Sequence, residues 1–203
     1  MSTVTRVAVI AIVLLRLADS RGRVEASGNM RRFVSDKYGF SMDVPPGWSP
    51  SIELDTPVYF YAPFRGEFGQ YNFPQGGAII TVTAHDTESG KSRLADSPPK
   101  WAVADAEASA STNPVAIPFE VPAGSHASDG VMTSYDEMVF SREQQKHHTV
   151  AVFWKFNGQL FEAKLSYVSG DPNGTSLEQL FLKDVRSLRP IVAKRLQPRS
   201  EKR

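Results

Sequence analysis

The sequence predicts an α+β fold in which a mainly antiparallel sheet is flanked by helices. Short β-rich runs separated by turn residues dominate the chain from Phe33 onward. Two of these runs flank Asn157-Gly158, a pair that supplies the positive φ angles of a tight hairpin turn. Two other segments, near residues 98–110 and 175–188, have helical signals instead. Because consecutive hairpins need no helix between their strands, we expect the strands to run antiparallel.

The first 26 residues are predicted to be a secretory signal peptide. A short basic region precedes nine apolar residues, 7–15, and Arg16 closes this run. A membrane-spanning helix needs about 20 apolar residues, so the run fits a cleavable signal better than an anchor. Cleavage after Ser20 lies nearer the apolar run, whereas side-chain type favours cleavage after Ala26. We therefore expect a secreted or periplasmic protein with no transmembrane segment in the mature chain.

Five strands are expected before the hairpin. The first alternates apolar with small or polar residues and stops at Pro45-Pro46-Gly47, as a half-buried strand does. Pro118 moves the fourth towards a sheet edge, because proline cannot donate to a hydrogen-bond ladder. The predicted strands are, in order, Tyr38–Val44, Val58–Tyr61, Ala78–Ala84, Pro114–Val121 and Val131–Phe140.

The clearest local signal is a hairpin over residues 149–167. Its two arms alternate in polarity, so one face of each arm is expected to be buried. The apolar face comprises Val150, Val152, Trp154 and Phe156 on the first arm and Phe161, Ala163, Leu165 and Tyr167 on the second.

The first predicted helix precedes the strand that contains Pro118. Ser97 is expected as its N-cap and Pro98 as its first residue, and the helix runs to about Ala110. Its small side chains would let it lie close against a sheet. The predicted buried face comprises Trp101, Ala104 and Ala108.

The second predicted helix follows the hairpin. Thr175 stands in capping-box spacing with Glu178 at its start, and Pro190 ends it. An apolar stripe at helical spacing is expected to face the sheet. The stripe comprises Leu177, Leu180, Phe181, Val185 and Leu188.

These elements are expected to form a single domain over residues 30–191, followed by a basic flexible tail over residues 192–203. Residues 27–192 carry 14 bases against 19 acids, a net charge of −5. A domain that binds nucleic acid presents a basic face to phosphates, so nucleic acid is not an expected partner.

No catalytic site, metal site or cofactor is predicted. The 203-residue chain has no cysteine, which excludes disulfides, thiolate metal sites and a cysteine nucleophile. It also lacks the common motifs of serine hydrolases, zinc proteases and nucleotide-binding enzymes. His147 and His148 are adjacent in a predicted strand, so their side chains point to opposite faces and cannot chelate one ion together. Of the other two histidines, His85 ends a predicted strand and His126 lies in a turn region.

Residues 56–77 form the segment in which a binding function is most expected. The segment is rich in aromatic residues, and its glycine-broken stretch 64–71 cannot be regular throughout. Aromatic residues beside an arginine are typical of interface anchors. The alternative is that the segment folds its aromatic side chains back onto the sheet. The candidate binding residues are Phe64, Arg65, Phe68 and Tyr71.

Two stretches of the chain resemble the PsbP-like fold family, which includes the PsbP subunit of photosystem II and a Ran-binding import factor. Residues 38–48, YGFSMDVPPGW, look like the family's first full strand and its Pro–Trp corner. Residues 160–173 and the helix after them look like the family's final hairpin and closing helix. The resemblance spans residues 33–190 and implies an α/β/α sandwich with a binding or accessory role.

The sequence therefore favours an exported, non-enzymatic binding or accessory protein that contacts a protein or a component of the cell envelope. One alternative is a carrier of small molecules or lipids, with an apolar pocket between sheet and helix. A less favoured alternative is a hydrolase whose site is dispersed along the sequence.

Overall fold

The computed structural model describes most of the chain between residues 23 and 191. The described residues are 23–27, 30–36, 39–51, 58–62, 73, 76–85, 98–109, 116–120, 128–139, 144–156 and 159–191. The apolar run of the predicted signal and the predicted tail over residues 192–203 lie outside them.

The described residues form two helices and eleven strands. In chain order these are β1 (Arg23–Ser27), β2 (Met30–Ser35), β3 (Phe40–Asp43), β4 (Ser49–Ser51), β5 (Val58–Tyr61), β6 (Ala78–His85), α1 (Pro98–Ala108), β7 (Ala116–Phe119), β8 (Ser128–Val139), β9 (Gln145–Phe156), β10 (Gln159–Val168), α2 (Gly174–Arg186) and β11 (Arg189–Pro190). The five strands predicted before the hairpin, the hairpin and both helices are thus confirmed.

The strands form two antiparallel sheets. The smaller sheet has the order β1-β2-β3-β11, and the larger has the order β4-β5-β6-β10-β9-β8-β7. Every pairing between described strands is antiparallel. The α+β class is therefore confirmed, but the sequence did not reveal that β1, β2, β3 and β11 separate into a sheet of their own. Proline 118 lies in β7, which is an edge strand as predicted.

The main core lies on one face of the seven-stranded sheet, which is covered by α2 and by the smaller sheet. Rings from both sheets interlock there: Phe40 of β3 meets Phe161 of β10 edge-on, with ring centroids 5.6 Å apart. The predicted apolar face of the hairpin belongs to this core through Val150, Val152 and Trp154 of β9 and Phe161, Ala163, Leu165 and Tyr167 of β10, whereas the Phe156 side chain lies outside the described part of the structure. The predicted stripe of α2 does as well, and Phe181, Val185 and Leu188 are its buried members. Aromatic burial of this kind is the largest favourable contribution to the fold.

A second, smaller core lies on the opposite face of the same sheet, beneath α1. It includes Ala151 and Phe153 of β9, which alternate with the predicted apolar residues and are also fully buried. The prediction of one buried face for β9 is therefore incomplete. Since the two helices cover opposite faces of the larger sheet, the arrangement is the predicted sandwich.

The predicted buried face of α1 is wrong except for Trp101, which is half-buried and packs against the smaller core. Pro98, Ala102 and Ala106 are buried, whereas Ala104 and Ala108 are exposed. The helix is so rich in alanine that hydrophobic periodicity cannot select a face. A polar contact orients it instead, because Asp105 accepts a hydrogen bond from the Tyr135 hydroxyl of β8 at 2.7 Å.

The predicted capping of α2 by Thr175 is also wrong. Asn173 is the N-cap residue, and its side chain makes no capping hydrogen bond. Asp171 organises the start of the helix, since its carboxylate accepts the Asn173 N–H at 2.8 Å and its carbonyl accepts the Gly174 N–H at 2.9 Å. Gly170, at a φ of 82°, makes the turn that places Asp171 there.

β1 lies inside the segment that the sequence assigns to the signal peptide. It pairs with β2 in a continuous register from Arg23 opposite Val34 to Ser27 opposite Met30. Cleavage after Ser20 would leave β1 intact, whereas cleavage after Ala26 would remove nearly all of it.

Candidate functional site

The candidate site lies at one end of the seven-stranded sheet, where four strands present residues side by side. Asp136 of β8 lies opposite His148 of β9, which lies opposite Tyr167 of β10, which in turn lies opposite Ala78 of β6. We call this the Gln145 end, after the first residue of β9. Residues 63–72, which contain the predicted binding residues, connect to the sheet at this end.

A side-chain clamp fixes the chain directly after residues 63–72. The amide of Gln145 accepts the Phe73 N–H at 2.9 Å and donates to the Phe73 carbonyl, also at 2.9 Å. The Phe73 ring is 7% exposed and stacks on His147, with centroids 4.5 Å apart and planes inclined by 14°. Three residues later, the Gly76 N–H donates to the Asp171 carboxylate at 2.5 Å. Phe73 and Gly76 are therefore held to the sheet and to the start of α2.

The residue on the other side of the segment is fixed as well. Ala62 is buried, and its N–H donates to the Ala78 carbonyl of β6 at 3.0 Å. Phe64, Arg65, Phe68 and Tyr71 lie outside the described residues, between these two anchors. Other aromatic residues of the 56–77 segment, Phe60 and Phe73, are buried, which agrees with the expectation that some of them belong to the core.

His147 is part of the clamp and is 2% exposed. Its Nε2 lies 2.9 Å from the Gln145 Oε1, which is an acceptor, so Nε2 carries a proton. Burial lowers the pKa of His147, although the charge of Glu137 acts in the opposite direction. The imidazole is thus neutral at pH 7 and packs against the Phe73 ring.

His148 points to the opposite face of the sheet, as predicted. Its Nδ1 lies 2.7 Å from Asp136 Oδ1, and its Nε2 lies 3.5 Å from both Ser134 Oγ and Glu178 Oε1. Lys146 also binds Asp136, with Nζ 2.7 Å from Oδ2. The hydrogen bond from Lys146 and, to a smaller extent, that from His148 lower the pKa of Asp136.

Ser134, His148 and Asp136 occur in the order of a catalytic triad, but their geometry does not fit acyl transfer. A distance of 3.5 Å is too long for an established hydrogen bond to Ser134, and Glu178 competes for the same Nε2. Ser134 also lies in the middle of β8 rather than at a turn where main-chain N–H groups converge on an oxyanion. The cluster therefore serves to join β8, β9 and α2.

A third polar cluster fastens α1 to the sheet. Lys164 of β10 contacts both Asp105 and Glu162, the latter at 2.9 Å, and Tyr135 donates to Asp105. Burial by itself would lower the pKa of Lys164, but the charges of Glu162 and Asp105 raise it above its ordinary value. Burial and the bond to Asp105 raise the pKa of Tyr135. Both groups therefore keep their protons at neutral pH and are not nucleophiles.

The residues that the structure describes contain neither a cluster of metal ligands nor a membrane-spanning helix. Within those ranges, no group of three or more His, Cys, Asp or Glu side chains is placed to hold a metal ion. No helix formed by the same residues has the length and apolar character needed to span a membrane.

Sequence reasoning missed Gln145, Asp171 and Asp136, which build the Gln145 end. Gln145 and His147 share a face of β9, but nothing in the sequence indicates that Phe73 reaches them. Asp136 becomes a partner of His148 only through the register of β8 and β9. No local signal could have found these three residues.

No protein-family model and no curated protein matches the chain. Several solved structures are similar to it. A protein from Bacteroides thetaiotaomicron is 15% identical with a TM-score of 0.44, and the match covers 78% of this chain but only 47% of that one. Cyanobacterial PsbP from Synechocystis sp. PCC 6803 is 15% identical with a TM-score of 0.46, covering 82% of this chain and 97% of that one. The Ran-binding protein Mog1p of Saccharomyces cerevisiae is 14% identical with a TM-score of 0.48, covering 81% and 97%.

Cyanobacterial PsbP, of the family that residues 38–48 and 160–173 resemble, is thus among the structures to which the chain is similar. At 14% and 15% identity, the likeness is one of fold and does not extend to a partner.

Proposed function

We propose that the protein is an exported, non-enzymatic binding or accessory protein, and that residues 63–72 form its contact with a partner protein or a component of the cell envelope. Phe64, Arg65, Phe68 and Tyr71 are the residues that make this contact. Aromatic and arginine side chains are the most frequent energetic anchors of protein interfaces.

The observation that carries the proposal is the anchoring of this segment at both ends. Ala62 is bound to β6, and Phe73 is clamped by Gln145. A segment whose ends are fixed loses less conformational entropy on binding than one that is free, so more of its contact energy appears as affinity.

The chemistry of the described polar residues supports a role without catalysis. Lys164 and Tyr135 are held in protonated form, His147 is neutral and buried, and the ring of His148 is shared between two carboxylates. Each of these groups is bound to a partner residue within the fold, whereas a catalytic acid or base must reach the proton of a substrate.

Export is supported by the basic start, the short apolar run and the small residues that follow it. The measurement that tests export is the N-terminal sequence and compartment of the protein isolated from its native host. An exported chain that begins at Arg21 or Ser27 is the expected result, and a cytosolic chain that begins at Met1 would contradict it.

The contact is tested by capturing partners from the native envelope fraction with the intact protein and identifying them by mass spectrometry. The F64A/R65A/F68A variant should lose the specific partner while its thermal stability stays nearly unchanged, because the buried anchors Ala62 and Phe73 are retained. A Q179A/K183A variant is the matched control, since both side chains are exposed on α2. A collapse in the stability of the triple variant would instead support packing of the segment onto the sheet.

A further inference from the structure

The two sheets have four edges, and three of these edges contain a proline. Pro50 lies in β4, Pro118 in β7 and Pro190 in β11. Proline has no N–H to donate, so an edge strand that contains it resists the addition of another strand. The fourth edge is β1, Arg23–Ser27, which contains no proline. Among the described strands, β1 is thus the edge on which a further strand can pair.

The outer edge of β1 is uncovered by the described residues. β1 pairs only with β2, and its described side chains, Arg23, Glu25 and Ala26, are all exposed. Arg23 and Glu25 lie on the same face and form an ion pair of 2.9 Å, with about half of each side chain still accessible at 49% and 55%. The Arg23 guanidinium also forms an ion pair with Asp36. Because about half of each side chain is accessible, Arg23 and Glu25 can still reach a strand beside β1.

The main-chain groups of β1 that point outward follow from the ladder. The Arg31 carbonyl accepts the Val44 N–H at 2.8 Å, so the main chain of Arg31 points to β3 and that of Arg32 points to β1. Glu25 lies opposite Arg32 and bonds inward to it. By alternation, the N–H and C=O groups of Val24 and Ala26 point away from β2 and are the ones available to a second strand.

We propose that β1 pairs with β1 of a second copy of this chain, antiparallel and about a two-fold axis at Val24. In this register, Val24 of each copy bonds to Val24 of the other, and Arg23 of each copy lies opposite Glu25 of the other. Opposite charges on facing residues stabilise a strand pair, and like charges destabilise it. A two-fold axis at Glu25 would place two glutamates opposite each other, and an axis at Ala26 would place Glu25 opposite the uncharged Ser27. Of the three registers, the one at Val24 is thus the one that pairs opposite charges.

The result is a continuous eight-stranded sheet with the order β11-β3-β2-β1 in each copy, joined at the two β1 strands. The contact is isologous, so the assembly closes at two copies. Because only one short strand from each copy takes part, the association is weak and depends on protein concentration. It requires a mature chain that retains β1, as cleavage after Ser20 would leave it.

The test is sedimentation velocity of the protein isolated after export, over about a hundred-fold range of concentration. The mean mass should rise with concentration from one chain towards two. The variant E25R places two arginines opposite each other in both cross-strand pairs, and its dimer should be about ten-fold weaker or more. The variant E120R makes the same change of charge at an exposed residue after β7, and it should associate as the native chain does.

A second variant tests the main-chain pairing. V24P removes an outward N–H that β2 does not use, so it should abolish the dimer while the circular dichroism and melting temperature of the fold are retained. A native chain that stays monomeric throughout, an E25R or V24P variant that associates like the native chain, or an isolated protein that begins at Ser27 would each overturn the proposal.

Discussion

Asp184 is a carboxyl group of α2 that is 4% exposed, and its Oδ2 has no hydrogen-bond partner among the described residues. Burial, together with the nearby charge of Asp43, raises the pKa of Asp184 to about 7, whereas Lys183 has a smaller lowering effect. The folded protein therefore holds a proton on Asp184 at pH values where the unfolded chain has released it. The contribution of Asp184 to the free energy of unfolding is fully present at low pH and is lost as the pH rises from about 4 through about 7.

The variant D184N removes this titration. We expect its free energy of unfolding to exceed that of the native chain by about 1–3 kcal/mol at pH 8, because no buried charge has to form. Between pH 4 and 7 the unfolding free energy of the variant should vary less steeply than that of the native chain. Urea denaturation across this pH range checks both points, with E107Q, at an exposed residue of α1, as the control. Parallel pH profiles for D184N and the native chain would contradict the assignment.

Gln145 makes the two hydrogen bonds that hold the main chain of Phe73. The variant Q145A should lower the free energy of unfolding by about 1–3 kcal/mol, because partly buried main-chain groups lose these bonds. It should also weaken partner binding, although Gln145 itself is not proposed to touch the partner. Q179A, at an exposed residue of α2, should change neither quantity. The free energy of unfolding and the dissociation constant of the partner, measured for Q145A and Q179A, show whether the bonds from Gln145 to Phe73 contribute to binding.

Ser134 is the serine whose hydroxyl lies nearest to the His148 ring among the described residues, with Oγ 3.5 Å from Nε2, whereas Ser169 contacts Asp136 of the same pair. If the cluster is structural, a fluorophosphonate probe will not label the protein, and the native chain and S134A will show the same background hydrolysis of activated esters. Labelling that disappears in S134A and in H148A would show that Ser134 is a nucleophile, and the non-enzymatic proposal would then be wrong.

At the scale of elements, the sequence predicts well where one face of a strand or helix is buried. β10 and α2 follow this rule, with Leu165 and Phe181 buried on the predicted faces. β9 does not, because both of its faces are covered and Phe153 is as buried as Val152. α1 fails for another reason: its alanines give no hydrophobic contrast, and the bond between Tyr135 and Asp105 orients it.

The start of α2 gives a test at the same scale. A Cβ on Gly174 would lie 2.8 Å from Cε2 and 2.9 Å from the hydroxyl of Tyr167, whose hydroxyl is bound to Glu178 at 2.6 Å. G174A should therefore lower the free energy of unfolding by about 1–2 kcal/mol, even though alanine favours a helix more than glycine does.

T175A provides the comparison, because Thr175 is exposed and does not cap the helix. Its effect should stay within about 0.5 kcal/mol. If T175A lowered the free energy of unfolding by about 1 kcal/mol and G174A did not lower it, the capping box predicted from the sequence would be supported instead. Thermal denaturation of both variants makes the distinction.

At the scale of the whole molecule, the separation into two sheets depends on contacts between residues far apart in sequence. Ser187, just after α2, accepts a hydrogen bond from the Asp43 N–H at 2.8 Å and, through its carbonyl, one from Arg32 at 3.1 Å. Arg32 also forms an ion pair with Asp43 at 3.0 Å. These bonds bring β11 beside β3, and no periodicity or turn signal within either segment predicts them.

The residues that meet at the Gln145 end could not be predicted from the sequence for the same reason. Phe73 lies between β5 and β6, Gln145 begins β9 and Asp171 lies between β10 and α2, so only the folded sheet brings them together. Aromatic composition pointed to residues 56–77 as a binding segment, and it could not show how the segment is anchored. The central claim is that residues 63–72, held in this way, contact the partner.

The most direct test of that claim is the dissociation constant of the captured partner, measured for the native protein and for F64A/R65A/F68A at a temperature where both are folded. We expect the dissociation constant of the variant to be at least about ten-fold higher than that of the native protein, while the two melting temperatures stay nearly the same. Equal dissociation constants would contradict it and place the contact elsewhere on the molecule.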